Sequence, residues 1–340
     1  MLKAVTRRSL VEVLLVLFLL SVVIFALPRL LVGGTLAPWN DRLSTFATIF
    51  LGIFLEAAPF LFLGALASGM VEVFVNRDSL VALMPRNALL SALAGSGLGL
   101  VFPVCDCGTV PLARRLLRKG FPVPAGIAFL LSAPVLNPIV IIATGTAFGF
   151  GRVLLLRVGL TVLIALITGV VFSVSKTPWE ILRPTAWINK EEVDPHFDQK
   201  SKGLPDKLRQ VFLICTDEFF DIGRFLVIGS LLAAGMQTFI PQSVLLSIGT
   251  GPLTSVLVMV SLAILLSICS TVDAFVALGF ASTFSTGSIL AFLIFGPMVD
   301  IKTTFLLFHV FRKRTVMYLI LLPLLLSILS GLIINLFIGG

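Results

Sequence analysis

Charged side chains are scarce in this sequence: they make up 12% of its 340 residues, where soluble domains carry about 25%. Hydrophobic residues account for 58% of the chain, and the mean hydropathy is +1.10. A soluble core of this length does not need so much apolar material. The composition therefore indicates that the lipid bilayer is the solvent and a direct partner of the chain.

Other scarcities exclude particular functions. The two histidines are distant in sequence and predict no catalytic site. The glycine run Gly95–Gly99 has neither a preceding strand nor a Lys-Ser/Thr context, so it is not an ATP-binding loop. Small residues for close helix packing explain it better. We expect no enzymatic activity and no cofactor.

The net charge of +8 does not indicate nucleic acid. Its lysines and arginines occur in short clusters beside apolar runs, which is typical of membrane topology and not of a phosphate-binding face. The first cluster precedes an apolar run at about 10–32. That run is too long for a signal-peptide core and no small-residue cleavage site follows it, so we expect a retained first helix.

A helix that crosses the bilayer needs about 20 apolar residues. Candidate segments after the first helix lie at about 45–75, 87–104, 121–148, 152–174, 211–240, 243–268, 287–310 and 315–338. Two shorter pieces, near 109–119 and 271–284, follow cysteine motifs. The only long polar stretch, about 175–209, reads as an exposed linker between two halves.

The two halves share landmarks in the same order, which predicts an internal repeat. The motif CDCGTVP in the first half corresponds to CSTVDAF in the second. At offsets of 163–166 residues, the matched residues are Met70 with Met236, Cys105 with Cys269, Pro134 with Pro297 and Asn137 with Asp300.

The distribution of basic residues sets the orientation, because cytoplasmic loops are rich in lysine and arginine. A full crossing at 87–104 would place the strongest basic cluster outside, and that cluster is Arg114, Arg115, Arg118 and Lys119. A re-entrant hairpin that turns at CDCG returns it to the cytoplasm. A matching hairpin at 243–284 then enters from the opposite side. The halves are therefore predicted to be inverted.

We accordingly predict an all-α polytopic membrane protein with an inverted repeat of helix, re-entrant hairpin and two helices per half, plus an extra N-terminal helix. The predicted parts are an N-terminal transmembrane helix at 1–40, a first membrane repeat at 41–175, a linker at 176–209 and a second, inverted repeat at 210–340. The N-terminus and the linker are expected on the cytoplasmic side. Transporters of this type bind substrate at the midplane, where broken segments of both halves meet.

The cysteines are the first candidates for chemistry. Pro103, Gly108 and Pro111 oppose a continuous helix, so we expect the CDCG segment to be unwound. Cys105 and Cys107 then share a face, with Cys269 opposite. Soft thiolates bind soft ions such as trivalent arsenic, copper(I) or zinc, although buried cysteine is also a simple packing residue. Cys215 has no repeat partner, and packing is the expected role for it.

Ionisable residues inside apolar runs are the second group. Such residues usually face a pathway or a partner, because a charge at the bilayer centre is costly. They are Glu56, Asp106, Asp273, Asp300 and Lys302. A substrate or proton-coupling role and a structural ion pair, most simply of Lys302 with Asp300 or Asp273, stand as equal alternatives. Asn137 either offers its amide to substrate or caps a broken helix.

Three further groups are expected to be structural. The polar residues Asp217, Glu218, Asp221 and Arg224 are interpreted as a solvated helix end. The cluster Arg114–Lys119 is expected to set topology, although it can also bind an anionic headgroup or substrate. His309 is expected at the membrane interface.

The run CDCGTVPLARRLLRKGFPVPAGIAFLLSAPVLNPIV, with CSTVDAFVAL and FGPMVDIKT after it, resembles the bacterial YraQ-like permease family, which includes organoarsenical efflux permeases. The resemblance covers about 45–175 and 210–338. It implies a permease of the bacterial inner membrane. The positions that match the family motifs are Cys105, Cys107, Gly108, Pro111, Pro134, Asn137, Pro138, Cys269, Asp273, Pro297 and Asp300.

These observations predict a secondary permease that moves a small, thiol-reactive or organoarsenical-type substrate by alternating access, with protons as the plausible coupling ion. Its predicted substrate-binding residues are Cys105, Asp106, Cys107, Gly108, Asn137, Cys269, Asp273 and Asp300. Glu56, Asp273, Asp300 and Lys302 are the candidates for coupling or ion pairing. The alternative is a membrane thiol–disulfide electron carrier using Cys105 or Cys107 with Cys269. A sulfur-compound importer uses the same thiols and is not separated from efflux by the sequence.

Overall fold

The computed structural model describes residues 37–76, 84–85, 87–102, 104–174, 178–183, 203–239 and 251–337. The predicted first helix at about 10–32 lies outside these residues. The described chain is helical throughout, apart from turns and one isolated bridge between Leu182 and Phe311. The protein is therefore an all-α polytopic membrane protein, as predicted.

The first half contributes six helices. They are α1 (Ala37–Phe74), α2 (Ala88–Val101), α3 (Asp106–Arg118), α4 (Val123–Leu136), α5 (Pro138–Phe148) and α6 (Arg152–Val171). The second half contributes α7 (Leu204–Phe239), α8 (Pro252–Leu266), α9 (Asp273–Gly279), α10 (Thr286–Met298), α11 (Ile301–Val310) and α12 (Lys313–Phe337).

Five of the described helical segments are long and apolar enough to cross a bilayer. They are Arg42–Phe74, Arg152–Val174, Leu204–Phe239, Thr286–Val310 and Lys313–Phe337. The pair α4 and α5 makes a sixth if its 42° bend lies within one span. The helices α2 and α8 have 14 and 15 residues, which is about 21–23 Å and shorter than the hydrocarbon core of about 30 Å. Their lengths suit the predicted hairpins, whose re-entrant course remains a prediction.

The breaks between helices have local causes. Asn87, Asn137 and Asp300 each accept a hydrogen bond from a backbone N–H in the first turn of the helix that follows, as N-caps do. Pro138 and Pro252 occupy first-turn positions, where a missing N–H removes no hydrogen bond. Asn137 and Asp300 are matched in the predicted repeat, and both begin a new helix after one that contains a proline.

The expectation of an unwound CDCG segment is wrong, because α3 already begins at Asp106 with Cys105 as its N-cap. Pro111 lies in the second turn and removes only the hydrogen bond to the carbonyl of Cys107. Gly108 is needed for close packing, since its Cα lies against Gly64 of α1. The corresponding segment of the second half is not helical, and there Ser267 has a positive φ of 44° before Cys269.

Packing places α4 and α10 at the centre of the molecule, where almost every side chain is buried. The helix α4 packs against α2 and α6, while α10 packs against α8 and α12. The helices α1 and α7 lie along each other, with α3 against α1 and α11 against α7. The contacts of α3 with α11 and of α5 with α9 join the two halves.

Part of the predicted linker packs against the second half. Ile181 and Leu182 are fully buried, and backbone hydrogen bonds join Ile181 to Arg312 and Arg183 to Val310. The helix α7 starts at Leu204, before the predicted boundary at 210. Residues 184–202 lie outside the described part of the chain.

Candidate functional site

A small pocket lies where α1, the start of α3, the loop before α9 and the start of α11 meet. Its lining residues are Ile53, Glu56, Ala57, Cys105, Asp106, Cys107, Cys269 and Lys302. The side chains leave no room for a water molecule between them, whereas typical ligand pockets measure roughly 300–1,000 Å³. The fold therefore brings six of the residues singled out in the sequence to one place.

Lys302 is the centre of an ion cluster on this pocket. Its Nζ lies 3.2 Å from Asp106 Oδ2 and 3.1 Å from Asp300 Oδ2, and it donates to the Ser267 carbonyl at 3.0 Å. The side chains of Lys302, Asp106 and Asp300 are each exposed by 2% or less. Because Asp106 and Lys302 come from different halves, the cluster also ties the halves together.

The three thiols of the motifs line the pocket as free cysteines. Cys105 and Cys107 lie at the start of α3, and Cys269 Sγ lies 3.9 Å from Asp106 Oδ1. Within the described ranges, no group of three or more His, Cys, Asp or Glu residues is arranged to hold a metal ion. The thiols are thus neighbours without being a preformed metal site. Cys215 is buried near the carbonyl of Phe62, away from the pocket.

Glu56 reaches the pocket from the middle of α1. Its Oε1 is buried and has no hydrogen-bond partner. The charges that act on it are those of Lys302 and Asp106. This is an unusual position for a carboxylate, because a buried oxygen without a partner costs free energy.

Asp273 does not line the pocket. Its Oδ2 pairs with Arg157 of α6 at 2.6 Å, and Arg157 also donates to Thr144 of α5 at 2.7 Å. Sequence reasoning paired Asp273 with Lys302 or a substrate and missed Arg157. The available signal was an arginine inside the apolar segment 152–174, which needs a partner at that depth.

Arg157→Gln is expected to destabilise the protein by about 3–5 kcal/mol, because it leaves the Asp273 carboxylate buried without its counter-charge. The double variant Arg157→Gln/Asp273→Asn should recover most of this loss, which thermal unfolding in detergent can measure. Equal melting temperatures for the single variant and the wild type would contradict the assigned pair.

Two other predicted substrate residues have structural contacts. Asn137 is 3% exposed, and its Oδ1 accepts from the N–H of Ile139 at 3.0 Å, which is the capping alternative. Gly108 packs against Gly64. Neither residue lines the pocket. Their role in substrate binding therefore remains a prediction.

The basic end of α3 takes part in a second polar cluster. Arg115 contacts Glu72 of α1 at 3.5 Å and Glu218 of α7 at 3.4 Å, and Arg114 lies 3.6 Å from Asp221. Glu218 is only 7% exposed. The interpretation of Glu218 and Asp221 as a solvated helix end is wrong, because α7 begins at Leu204 and places both residues within the helix.

Two side chains extend this second cluster. Lys119 Nζ donates to the carbonyls of Val71, Glu72 and Val75 at 2.6–2.8 Å, so it caps the C-terminal end of α1. His309 of α11 lies 3.1 Å from Asp221 and stacks on Phe225. These contacts fasten α3 and α11 to the α1–α7 pair.

Comparison with known proteins finds relatives over most of the chain. The family model ArsP_1, described as a predicted permease, matches residues 42–336. UPF0718 protein YcgR of Bacillus subtilis is 43% identical over 274 residues, which are 80% of this chain and 91% of that protein. UPF0718 protein YraQ of Escherichia coli is 27% identical over 142 residues, which are 42% of this chain and 40% of that protein.

A third relative is named a putative two-component membrane permease complex subunit, from Streptococcus mutans. It is 39% identical over 274 residues, which are 79% of this chain and 88% of that protein. No solved structure matches the chain significantly. The resemblance to YraQ-like permeases is confirmed, and the chain belongs to the ArsP_1 family of predicted permeases, as a multi-pass membrane transport protein.

Proposed function

We propose that this protein is a secondary permease of the bacterial inner membrane that moves a small, thiol-reactive solute of the organoarsenical type through the pocket between its halves. The observation that carries the proposal is the convergence of three free thiols and a buried ion cluster on one pocket. The residues come from both halves, so relative movement of the halves changes the pocket.

The thiols supply the chemistry for a soft substrate. Cys105 and Cys107 are carried by one half and Cys269 by the other. Sulfur ligands prefer soft centres such as trivalent arsenic. Because no metal-binding arrangement is preformed in the described residues, we propose that the thiols meet around the substrate as it binds. Two thiols and a trivalent arsenic oxide form two As–S bonds and release one water molecule without a change of oxidation state, and hydrolysis reverses this exchange, as transport requires.

Alternating access fits the size of the pocket and the broken helices beside it. A pocket without room for a water molecule does not admit a substrate unless the surrounding helices move. The break between α10 and α11 at Asp300 adjoins Lys302, and Ser267 lies in another irregular segment. Discontinuous helices at a midplane site are typical of inverted-repeat transporters. We keep the inverted repeat and the cytoplasmic N-terminus and linker as parts of this proposal.

A thiol–disulfide electron carrier is the alternative that the same thiols allow. Electron transfer does not require the buried Asp106–Lys302–Asp300 cluster, which favours a permease. Trapping with a thioredoxin that lacks its resolving cysteine separates the two functions, because a carrier forms a mixed disulfide and a permease does not. The name of the Streptococcus mutans relative also makes a second subunit a candidate partner, which co-purification from native membranes can identify.

We expect the triple variant Cys105→Ser/Cys107→Ser/Cys269→Ser to lose at least about tenfold in transport of phenylarsine oxide. Serine keeps the size of the side chain and removes the soft ligand. Transport is measured in everted membrane vesicles, with Cys215→Ser as the matched control. Unchanged transport by the triple variant would exclude a thiol site.

A further inference from the structure

Among the described residues, Glu56 differs from the other acidic residues of the buried clusters because it forms no ion pair. Asp106 and Asp300 contact the Lys302 ammonium at 3.2 and 3.1 Å, and Asp273 is held by Arg157. Glu56 has no such ion pair within the ranges that the structure describes, and its Oε1 is buried without a hydrogen-bond partner. It is therefore the acidic residue of the pocket whose charge is least compensated.

Among the described residues, none of the groups that face Glu56 gives its Oε1 a hydrogen bond. Across the pocket they are the thiols of Cys105, Cys107 and Cys269, the carboxylate of Asp106 and the ammonium of Lys302. Lys302 already serves Asp106, Asp300 and the Ser267 carbonyl.

On the side of α7, Phe219 contacts Phe62, and the charged residues within two positions of Phe219 are Asp217, Glu218 and Asp221. Glu218 contacts Arg115, and Asp221 contacts Arg114, Arg224 and His309. The cation that faces Glu56 in the pocket is therefore Lys302, which Asp106 and Asp300 already engage.

The pocket can close without water around Glu56 only when the carboxyl group of Glu56 is neutral. Ionised Glu56 would add a second uncompensated charge to a pocket in which one lysine already faces two carboxylates. Such a charge is costly away from water, so it favours either water entry or a bound substrate. A protonated Glu56 removes that charge and permits the small, closed pocket.

We infer that Glu56 carries the coupling proton of this permease, so that the empty pocket closes only after Glu56 has taken up a proton. This inference rests on the proposed transport function. When the pocket opens, Glu56 gives its proton to a water molecule, and the thiols of the pocket bind substrate beside the ionised carboxylate. Closure follows with substrate bound, or with a proton taken back from water. Substrate movement in one direction is thereby exchanged for proton movement in the other.

Glu56→Gln tests the assignment because glutamine imitates the protonated carboxyl. In proteoliposomes, we expect the variant to exchange labelled phenylarsine oxide across the membrane, while proton-driven accumulation falls at least about tenfold. A pH-sensitive dye inside the vesicles should report proton movement with substrate for the wild type only. Asp206→Asn, at an exposed position of α7, is the control and should remain coupled.

Two results in this assay would overturn the inference. Proton-driven accumulation by Glu56→Gln at the wild-type level would show that the coupling proton binds elsewhere. Loss of exchange together with accumulation would make Glu56 a substrate or structural residue. The melting temperature of Glu56→Gln should equal or exceed that of the wild type, because the change removes the ionisable group and glutamine keeps the size of the neutral side chain.

A second measurement does not depend on the substrate. In a Cys215→Ser background, the remaining thiols are labelled with N-ethylmaleimide at acidic and alkaline pH. We expect labelling to rise more steeply with pH in the wild type than in Glu56→Gln, because ionised Glu56 opens the pocket; identical pH dependence would overturn the inference. If the wild type moves no phenylarsine oxide but passes this test, the proposed substrate class fails and the role of Glu56 stands.

Discussion

Lys302→Met is expected to destabilise the protein by about 3–5 kcal/mol and to abolish transport. The change leaves Asp106 and Asp300 buried without their cation, and breaking a buried ion pair by removing one partner costs this amount. It also removes the donor to the Ser267 carbonyl. Thermal unfolding in detergent measures the stability, and uptake of phenylarsine oxide by vesicles measures the transport.

A neutral triple variant separates the structural from the functional role of this cluster. Lys302→Met/Asp106→Asn/Asp300→Asn leaves no charge at the three positions of the cluster, and asparagine at 300 still caps α11. We expect most of the stability to return while transport stays lost. Recovery of both properties would mean that the cluster only holds the halves together. Lys207→Met, in the polar first turns of α7, should change neither property.

Gly64→Ala is expected to have the second large effect. A Cβ atom on Gly64 would overlap the Cα of Gly108 and would lie 2.9 Å from its carbonyl oxygen. Backbone atoms cannot rotate away, so α1 and α3 must separate, at a cost of about 1–3 kcal/mol or more. Glu56 and Cys107 lie on these two helices, so the separation also changes the pocket, and transport should fall.

Gly52→Ala is the matched control, because it lies on the same helix with no atom within 4 Å of the added Cβ. Alanine at an open helical position is neutral or stabilises by up to about 1 kcal/mol. Gly108→Ala should be intermediate, since its Cβ would meet Gly64 Cα at 3.0 Å and the Phe60 carbonyl at 3.2 Å. Equal melting temperatures for Gly64→Ala and Gly52→Ala would contradict the close crossing of α1 and α3.

Sequence reasoning located the pocket residues through two physical regularities. An ionisable residue inside an apolar run needs a partner or a pathway, which identified Glu56, Asp106 and Lys302. Matching motifs in the two halves identified Cys269 as the counterpart of Cys105. Apolar runs and the order of motifs can both be read from the linear chain. The structure places all five residues, Glu56, Cys105, Asp106, Cys269 and Lys302, around one pocket.

Predictions from the sequence were wrong where the partner of a residue depends on which helices become neighbours. Asp273 was expected to face Lys302 or a substrate, but it pairs with Arg157, which is 116 residues away in the sequence. Glu218 was expected in solvent, but α3 brings Arg115 against it. Gly108 was attributed to an unwound turn, because the close approach of Gly64 is not visible in the sequence.

The sequence by itself determined the solvent, the helical character of the segments and their order. Hydrophobic content, run length and the positions of proline and capping residues act locally, and they are fully present in the linear chain. Tertiary structure alone decided the partners: Lys302 pairs with Asp106 and Asp300, Asp273 pairs with Arg157, and Glu56 has no ion pair within the described residues. The physical reason is that a buried charge fixes only the need for compensation, while helix packing selects the group that provides it.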